Sequence, residues 1–289
     1  MKGDCSLQTL SHSLSALCCS STLFTFSQVK MKIASFNVKK LGLSKVNDDF
    51  VRTYLIKIVS RYSVVVMLEV VDANGRAMKK FLEKLNEYRD NRHDPFSMES
   101  SKMLGRSTYK EKFVFFYRAR EVKLIDSFQY EEEGRDVFAR EPFAVQFKCL
   151  NTAVKKLVLI AVHSKPEDAE TELNALGDVV EAVRNKFKAT NIMILGDFNA
   201  DGPYLSNRKK ENSPMWYPPY FWLIDDKVDT TTSNKNDHTY DRIVVFGNHM
   251  YEAVGANSAK AFNFQRAYHL PDAAAQAISD HYPVEVELL

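Results

Sequence analysis

Five short runs built almost wholly of Val, Ile, Leu, Met, Phe and Ala recur along the chain, at residues 64–68, 113–117, 157–162, 192–195 and 243–246. Each is too short for a self-sufficient helix and too uniformly apolar for a strand with one wet face, so each predicts a strand at the centre of a sheet. Between them, apolar residues recur at helical spacing: Val51, Tyr54, Leu55 and Ile58, then Phe81, Leu82, Leu85 and Tyr88, then Leu173, Leu176, Val180, Val183 and Phe187. Helices of that kind cover sheets, so the pattern predicts a layered α/β protein. With 45% hydrophobic and 26% charged residues in a chain of 289, a sizeable core is available and coiled-coil or wholly disordered classes are excluded. No stretch approaches eighteen uninterrupted apolar residues, so no membrane span is expected. The stretch 202–219, with Arg208, Lys209, Lys210, four prolines and aromatic residues, reads as a long surface loop.

Residues 1–30 differ from the rest, being rich in Ser, Leu and Cys, and are expected to be a disordered leader before a catalytic domain at 31–289. Of the four cysteines, Cys5, Cys18 and Cys19 lie in the leader and Cys149 alone lies in the body. The body therefore cannot close a disulfide on itself, which predicts a reducing compartment, cytoplasm or nucleus. The alternative is secretion, with 1–30 as a degenerate signal peptide; a separate reading makes 1–30 an extension upstream of a start at Met31. The net charge of +2 decides nothing about nucleic acid, because a basic groove can hide in a nearly neutral chain.

Polar residues cluster where the apolar runs end. Asn37 follows Ile33-Ala-Ser-Phe36, Glu69 follows 64–68, His163 follows 157–162, and Asp197 and Asn199 follow 192–195. Strand ends gathered at one rim are where α/β proteins build sites. Asp241 and the pair Asp280-His281 instead come just before their strands. If all share one site, those two strands run antiparallel to the others and the sheets are mixed. Taken singly, each residue has an ordinary explanation: Glu69 can end a strand, Asn199 can make a turn, His163 can be a hydrogen-bonded histidine at the core edge. Jointly, six such strand ends point to metal-assisted phosphodiester hydrolysis, since Asn, Asp and Glu oxygens suit Mg²⁺ and nearby imidazoles move protons.

The strings Lys32-Ile-Ala-Ser-Phe-Asn37, Leu68-Glu-Val70, Tyr109-Lys-Glu-Lys112, Arg140-Glu-Pro142, Ala161-Val-His-Ser164, Leu195-Gly-Asp-Phe-Asn-Ala-Asp201, Tyr240-Asp-Arg-Ile-Val244 and Ile278-Ser-Asp-His-Tyr-Pro-Val284 resemble the deoxyribonuclease I family, in order, over nearly all of 31–289. The resemblance implies a four-layer α/β sandwich of two packed mixed sheets flanked by helices. It implies an endonuclease, dependent on Mg²⁺ or Mn²⁺, that cuts double-stranded DNA to 5′-phosphate and 3′-hydroxyl ends. By resemblance His163 and His281 are the general acid and base, with Glu111 orienting the first and Asp241 the second. Asn37, Glu69 and Asp280 match one metal-binding set, and Asp197, Asn199 and Asp241 match a set for a second ion or the scissile phosphate. Arg106, Tyr109, Arg140 and Tyr240 match DNA-positioning residues, and Asp136 with Glu141 match a structural Ca²⁺ site in the loop 130–142.

The departures from the family pattern carry expectations of their own. Relatives have an arginine where this chain has Val71, which predicts weaker minor-groove reading. Gly202 and His238 stand where the family places its main disulfide, and Glu131-Glu-Glu-Gly-Arg135 replaces the small one. The segment Met98-Glu-Ser-Ser-Lys102 lacks the aromatic and β-branched pair of actin-bound relatives, so actin is not expected as a partner, and the chain is expected to act as a monomer. Two other function classes compete. A phosphoesterase for small molecules or lipids would keep Glu69, Asp197, Asn199 and His281 but has no need of Tyr109, Glu111 and His163 together. A non-catalytic binding protein would have lost at least one of these groups, and none is lost.

Overall fold

A computed structural model describes Met1 and residues 30–289 of the chain, so the expected disorder of the leader concerns residues that, apart from those two ends, lie outside the described ones. Two six-stranded sheets make up its centre. The first holds β1 (Met31–Leu41), β2 (Val64–Val70), β3 (Phe96–Ser100), β4 (Lys112–Arg118), β11 (Lys260–Ala261) and β12 (Val284–Leu288), in the spatial order β11-β12-β1-β2-β4-β3. The second holds β5 (Val122–Gln129), β6 (Phe143–Cys149), β7 (Lys156–His163), β8 (Ile192–Asp197), β9 (Tyr220–Trp222) and β10 (Asp241–Phe246), in the order β5-β6-β7-β8-β10-β9. β1 and β2 are parallel, as are β7 and β8, whereas β12 runs antiparallel to β1 and β10 antiparallel to β8. The sheets are mixed in the sense that the positions of Asp241 and Asp280 require.

The alternation of side chains along a strand separates three apolar layers. Ile33, Val64, Val66, Phe113, Phe115, Val145, Phe147, Leu157, Leu159, Met193, Leu195, Ile243 and Val245 meet between the sheets. The intervening residues Ala34, Phe36, Val65, Met67, Val114 and Phe116 face helices Asp49–Val59 and Arg76–Glu87 on one outer face. Val158, Ile160, Val162, Ile192, Ile194 and Val244 face helix Ala169–Phe187 on the other. Helix, sheet, sheet, helix is the four-layer sandwich, and strands sandwiched on both faces explain why their sequences read as continuous apolar runs.

The stretch 202–219 lies mostly at the surface, as its composition suggests, but it is more ordered and more anchored than a simple loop. It contains the short helix Asn207–Glu211 and a 3₁₀ turn at Pro214–Trp216, and Leu205, Lys210, Ser213 and Met215 are buried. The basic residues misled because Lys210 points inward: its Nζ lies 2.8 Å from an Asp226 oxygen and over the Trp216 ring. Arg242, also buried, reaches Asp226 at 2.6 Å and the carbonyls of Ile224 and Ala200, beneath Trp222. Where the resemblance put a disulfide, the His238 ring lies against Gly202, close enough that a Cβ there would come within 2.6 Å of it.

Candidate active site

The strand directions bring Asn37 and Glu69 from the first sheet and His163 and Asp197 from the second to one rim, where the entries of β10 and β12 add Asp241, Asp280 and His281. Ladder register sets the spacing: Asp197 is paired with His163 on one side and with Asp241 on the other. Gly196, at φ +155°, lies so close to Val162 that a Cβ would sit 1.9 Å from its carbonyl oxygen. Only glycine therefore lets β8 deliver Asp197 beside His163. Glu69 and Asn199 themselves have left-handed backbones, φ +57° and +47°, a strain that clusters at functional sites.

Two imidazole–carboxylate pairs face each other across this rim. His163 Nδ1 lies 2.5 Å from Glu111 Oε1, and His281 Nδ1 lies 2.7 Å from Asp241 Oδ2. The two Nε2 atoms turn to a common point, 3.8 and 3.7 Å from the same Asp197 Oδ2. Burial works against the charged imidazolium in both, but the carboxylates outweigh it: Glu111 raises His163, and Asp241 with Asp197 raises His281 to about 10. Burial likewise opposes ionisation of Glu111, and His163 and Arg140 overcome it, holding that carboxyl below its usual range. A carboxylate on Nδ1 fixes the tautomer and leaves Nε2 for proton transfer.

Asp197 Oδ2 also accepts from Asn37 Nδ2 at 3.1 Å, the same amide nitrogen reaching Glu69 Oε1 at 3.1 Å. Asn199 donates to the Ser164 carbonyl, and its own N–H is held by Asp197 Oδ1. Asp280 is half exposed and paired with Lys39 at 3.0 Å. The group fits a divalent cation. Asp241 Oδ1 is buried with no hydrogen-bond partner, and Asp197, Asp241 and His281 offer donor atoms all within 4.8 Å of one another. Two buried carboxylates of like charge at that separation call for a counter-ion.

The four residues matched to DNA positioning lie at different distances from this centre. Tyr109 keeps 37% of its surface exposed, and the partial burial of its phenol, with Glu111 and Glu69 nearby, pushes its pKa up, so it remains a hydrogen donor at neutral pH. Tyr240 lies beside His281, ring centroids 6.3 Å apart. Arg140 lies along Glu111, with Nε to Oε1 at 3.2 Å and Nη2 to Oε2 at 3.3 Å, so it braces the carboxylate that holds His163. Arg106 is engaged elsewhere: it donates to Asp136 Oδ1 and Asp168 Oδ2, both at 2.9 Å, and to the carbonyls of Asp136 and Val137.

That engagement bears on the calcium expectation. Asp136 and Glu141 do line one cavity, but Asp136 is neutralised by Arg106, Glu131 is paired with Lys102, and both oxygens of Glu132 accept from Val137 N–H. The loop's own cations and N–H groups occupy the oxygens that Ca²⁺ needs, and Ca²⁺ prefers six to eight of them. A Ca²⁺ ion held by Asp136 and Glu141 would have to displace the Arg106 contact. Millimolar Ca²⁺ is expected to change the melting temperature little for that reason; a rise of several degrees, measured after EGTA treatment and Ca²⁺ addition, would favour the site.

Sequence reasoning missed three supports. Ser279 Oγ donates to the Asn37 carbonyl at 2.6 Å, fixing β1 to the segment that carries Asp280 and His281. Lys45 Nζ binds the carbonyls of Val38 and Lys39. Glu172 is fully buried, and its Oε1 accepts from Ala139 N–H and Lys165 N–H, joining the loop of Arg140 to that of His163. A signal for Glu172 existed: it stands on the stripe of Leu176, Val179 and Val183, the one charged residue there. Burial raises its pKa to about 7, and its Oε2 has no partner. Because the folded value lies above the usual 4.5, ionising Glu172 costs stability progressively between pH 4.5 and 7 and fully above that. Glu172→Gln, which can still accept both N–H groups, is expected to gain on the wild type as pH rises from 5 to 8, by up to ~3 kcal/mol. Urea midpoints of both proteins at the two pH values check this; a difference independent of pH would contradict it.

Residues 34–281 match the Endonuclease/Exonuclease/phosphatase family. Among known proteins, Deoxyribonuclease-1 of Oryctolagus cuniculus is 42% identical over 263 residues, covering 89% of this chain and 92% of the relative. Deoxyribonuclease-1 of Homo sapiens is 40% identical, covering 90% and 93%. The chain belongs to the deoxyribonuclease I family. Deoxyribonuclease-1-like 1 of Homo sapiens, at 40% identity over 89% of this chain and 84% of the relative, lies within reach as well. The sandwich extends to more distant proteins of the same fold: a zebrafish (D. rerio) TDP2 solved with a single-strand DNA product has TM-score 0.61 at 15% identity, covering 90% of this chain and 99% of that one. A Leptotrichia buccalis protein of the endonuclease/exonuclease/phosphatase family has TM-score 0.62 at 18%, covering 90% and 99%. Family membership favours deoxyribonuclease I chemistry over the small-molecule or lipid phosphoesterase alternative.

Proposed function

We propose that this chain, a deoxyribonuclease by family, is a metal-dependent endonuclease that hydrolyses double-stranded DNA to 5′-phosphate and 3′-hydroxyl ends. The observation that carries the reading is the convergence of the two Nε2 atoms on one point while each Nδ1 is held by a carboxylate. Hydrolysis needs two proton movements, one from the attacking water and one to the departing 3′ oxygen. Two imidazoles facing each other supply both, one as base and the other as acid. Glu111, braced by Arg140, and Asp241 keep the rings oriented and stabilise the imidazolium that forms.

Asn37, Glu69 and Asp280 would hold one divalent ion, Mg²⁺ or Mn²⁺, and Asp197, Asn199 and Asp241 a second ion or the phosphate. A bound ion supplies positive charge that stabilises the charge developing on the phosphate oxygens. Tyr109 and Tyr240 flank the rim on the side open to DNA. The experiment is conversion of supercoiled plasmid to nicked circles by the purified chain with and without Mg²⁺, with end-labelling of the product. Nicking that persists in EDTA, or products with 3′-phosphate ends, would overturn the reading.

The remaining proposals concern setting and partners. We place the enzyme in the cytoplasm or nucleus, acting as a monomer. Cys149 is a buried free thiol, pushed up to about 11 by burial, and the segment between Gly202 and Tyr240 is held by packed aromatic and charged groups. No helix among the described residues is long and apolar enough to cross a membrane. Actin is not a partner in this reading: Met98 packs against the core and Glu99 is held by Ser127, which leaves the strand without an exposed aromatic anchor. Equimolar monomeric actin is expected to leave nicking unchanged, and stoichiometric inhibition would count against it.

A further inference from the structure

β1 does not end as a straight strand. Its pairing with β2 breaks between Asn37 and Leu41, and in the gap Lys39 and Lys40 both take left-handed backbones, φ +45° and +53°. Two successive non-glycine residues in that region cost stability and persist only where the surroundings enforce them. Here they are enforced from both sides. The N–H groups of Lys39 and Lys40 donate to Asn37 Oδ1 at 3.0 Å and Glu69 Oε2 at 3.1 Å, and Lys45 holds the carbonyls of Val38 and Lys39. The corner is thus fixed to the same Asn37 and Glu69 that line the site.

The two side chains of this corner go different ways. Lys39 turns in and pairs with Asp280 at 3.0 Å. Lys40 turns out: its Nζ lies 5.7 Å from the centre of the exposed Tyr109 ring, and no carboxylate among the described residues lies within ion-pair distance of it. Across the corner, Val71 contributes no charge; it donates its N–H to Leu41 and packs against Gly42, where a Cβ would come within 3.1 Å of it. A lysine held by a strained, pinned turn, aligned with an aromatic ring and left without an acid partner, is arranged to meet an anion from outside.

We propose that Lys40 contacts a DNA backbone phosphate next to the scissile one, with Tyr109 as the adjoining surface, so that this side of the duplex is positioned by charge. The proposal rests on the reading of duplex DNA as substrate. A phosphate contact of this kind fixes register and contributes affinity without reading sequence. Each phosphate neutralised makes log K fall more steeply with log salt, by about 0.9 per contact on B-DNA.

The test measures binding of a labelled 20-base-pair duplex by fluorescence anisotropy across a salt series, in Mg²⁺ and in a His281→Ala background, with readings completed before the slowed cleavage consumes the duplex. Lys40→Gln is expected to bind more weakly, to reduce the salt slope by about 0.9, and to do so equally on two unrelated sequences, while Lys40→Arg keeps the wild-type slope. An unchanged slope in Lys40→Gln, with the parent binding normally, overturns the role of Lys40 alone. Failure of the parent itself to bind duplex, together with failure of the wild type to nick plasmid, overturns the substrate reading and this proposal with it. Melting temperatures of both variants equal to the parent's exclude a folding defect, and a loss of slope accompanied by a fall in melting temperature in both variants counts against the proposal.

Discussion

Replacing either His163 or His281 by alanine is expected to lower plasmid nicking about a hundredfold or more, the usual worth of a positioned acid or base. The two should be less than additive, because a reaction that has lost one proton transfer gains little from the other. The geometry makes the two replacements unequal in a second respect. His163 is almost wholly buried, and its removal leaves the Glu111 carboxylate with Arg140 alone, so His163→Ala is expected to melt lower as well as to cut less. His281 is more open, and its loss leaves Asp241 buried with Thr230 close by. Glu111→Gln separates orientation from proton transfer: it keeps a side chain of the same shape against Nδ1 while removing the charge, and should lower the rate at constant KM, whereas Asp241→Asn also alters the set proposed to hold an ion or the phosphate and should change both. Nicking by either alanine variant within tenfold of the wild type, at equal folded fraction, would show that the assignment of these imidazoles is wrong.

The pairing of His163 with Glu111 illustrates what a sequence of this kind reveals and what it hides. Most buried central strands were legible because sheets covered on both faces need continuous apolar runs, and the helices because their stripes have a 3.6-residue period; β6 was not, since Gln146 and Lys148 interrupt its apolar run. β3 and β5 were not. They are edge strands, and Phe96-Ser-Met-Glu-Ser100 and Val122-Lys-Leu-Ile-Asp126 carry the mixed polarity of a half-wet surface, which no period separates from a loop. That Asn37, Glu69, His163 and Asp197 are strand-end residues followed from local pattern. That Glu111, 52 residues before His163, would meet its Nδ1 did not, since the contact is made by the order of strands across two sheets; it came from the resemblance. The roles of Lys45 and Ser279 were not legible, although Ser279 stands in a string that carries the resemblance, because their work is on backbone carbonyls, which any donor of the right reach performs. Lys210 was misread for a physical reason: its buried ammonium is compensated by Asp226, sixteen positions along the chain and outside any local window.

Asp226 is where the largest effect on stability is expected. It stands between Lys210 and Arg242, both fully buried cations, with Nζ at 2.8 Å and Nη1 at 2.6 Å, and the Trp216 and Trp222 rings, in contact with centroids 5.0 Å apart, each lie against one of the cations. The distances are those of ion pairs, but the angles miss hydrogen-bond geometry for Lys210 Nζ and Asp226 Oδ1, so attraction between charges carries the contact. Arg242 has its pKa lowered by burial despite Asp226, which shows how costly that charge is where it stands. Asp226→Ala removes the anion and leaves two buried cations, a defect that costs about 3–5 kcal/mol in a closed interior. Asp226 keeps 32% of its side chain exposed, so the lower end of that range is expected, about 3 kcal/mol. Lys210→Met with Arg242 retained should cost much less, because one cation and the carboxylate remain paired and the methylene stem still packs on Trp216. The same cluster bears on redox behaviour. With Gly202 against His238 where the family would bridge two cysteines, and with Cys149 buried, nothing in the described fold answers to a thiol reductant. Urea midpoints of wild type, Asp226→Ala and Lys210→Met, each with and without dithiothreitol, check both statements. The wild-type midpoint should not move with reductant, and Asp226→Ala should fall in both conditions. A reductant-dependent fall of the wild type, absent from a chain starting at Met31, would instead assign the stability of this segment to a leader cysteine.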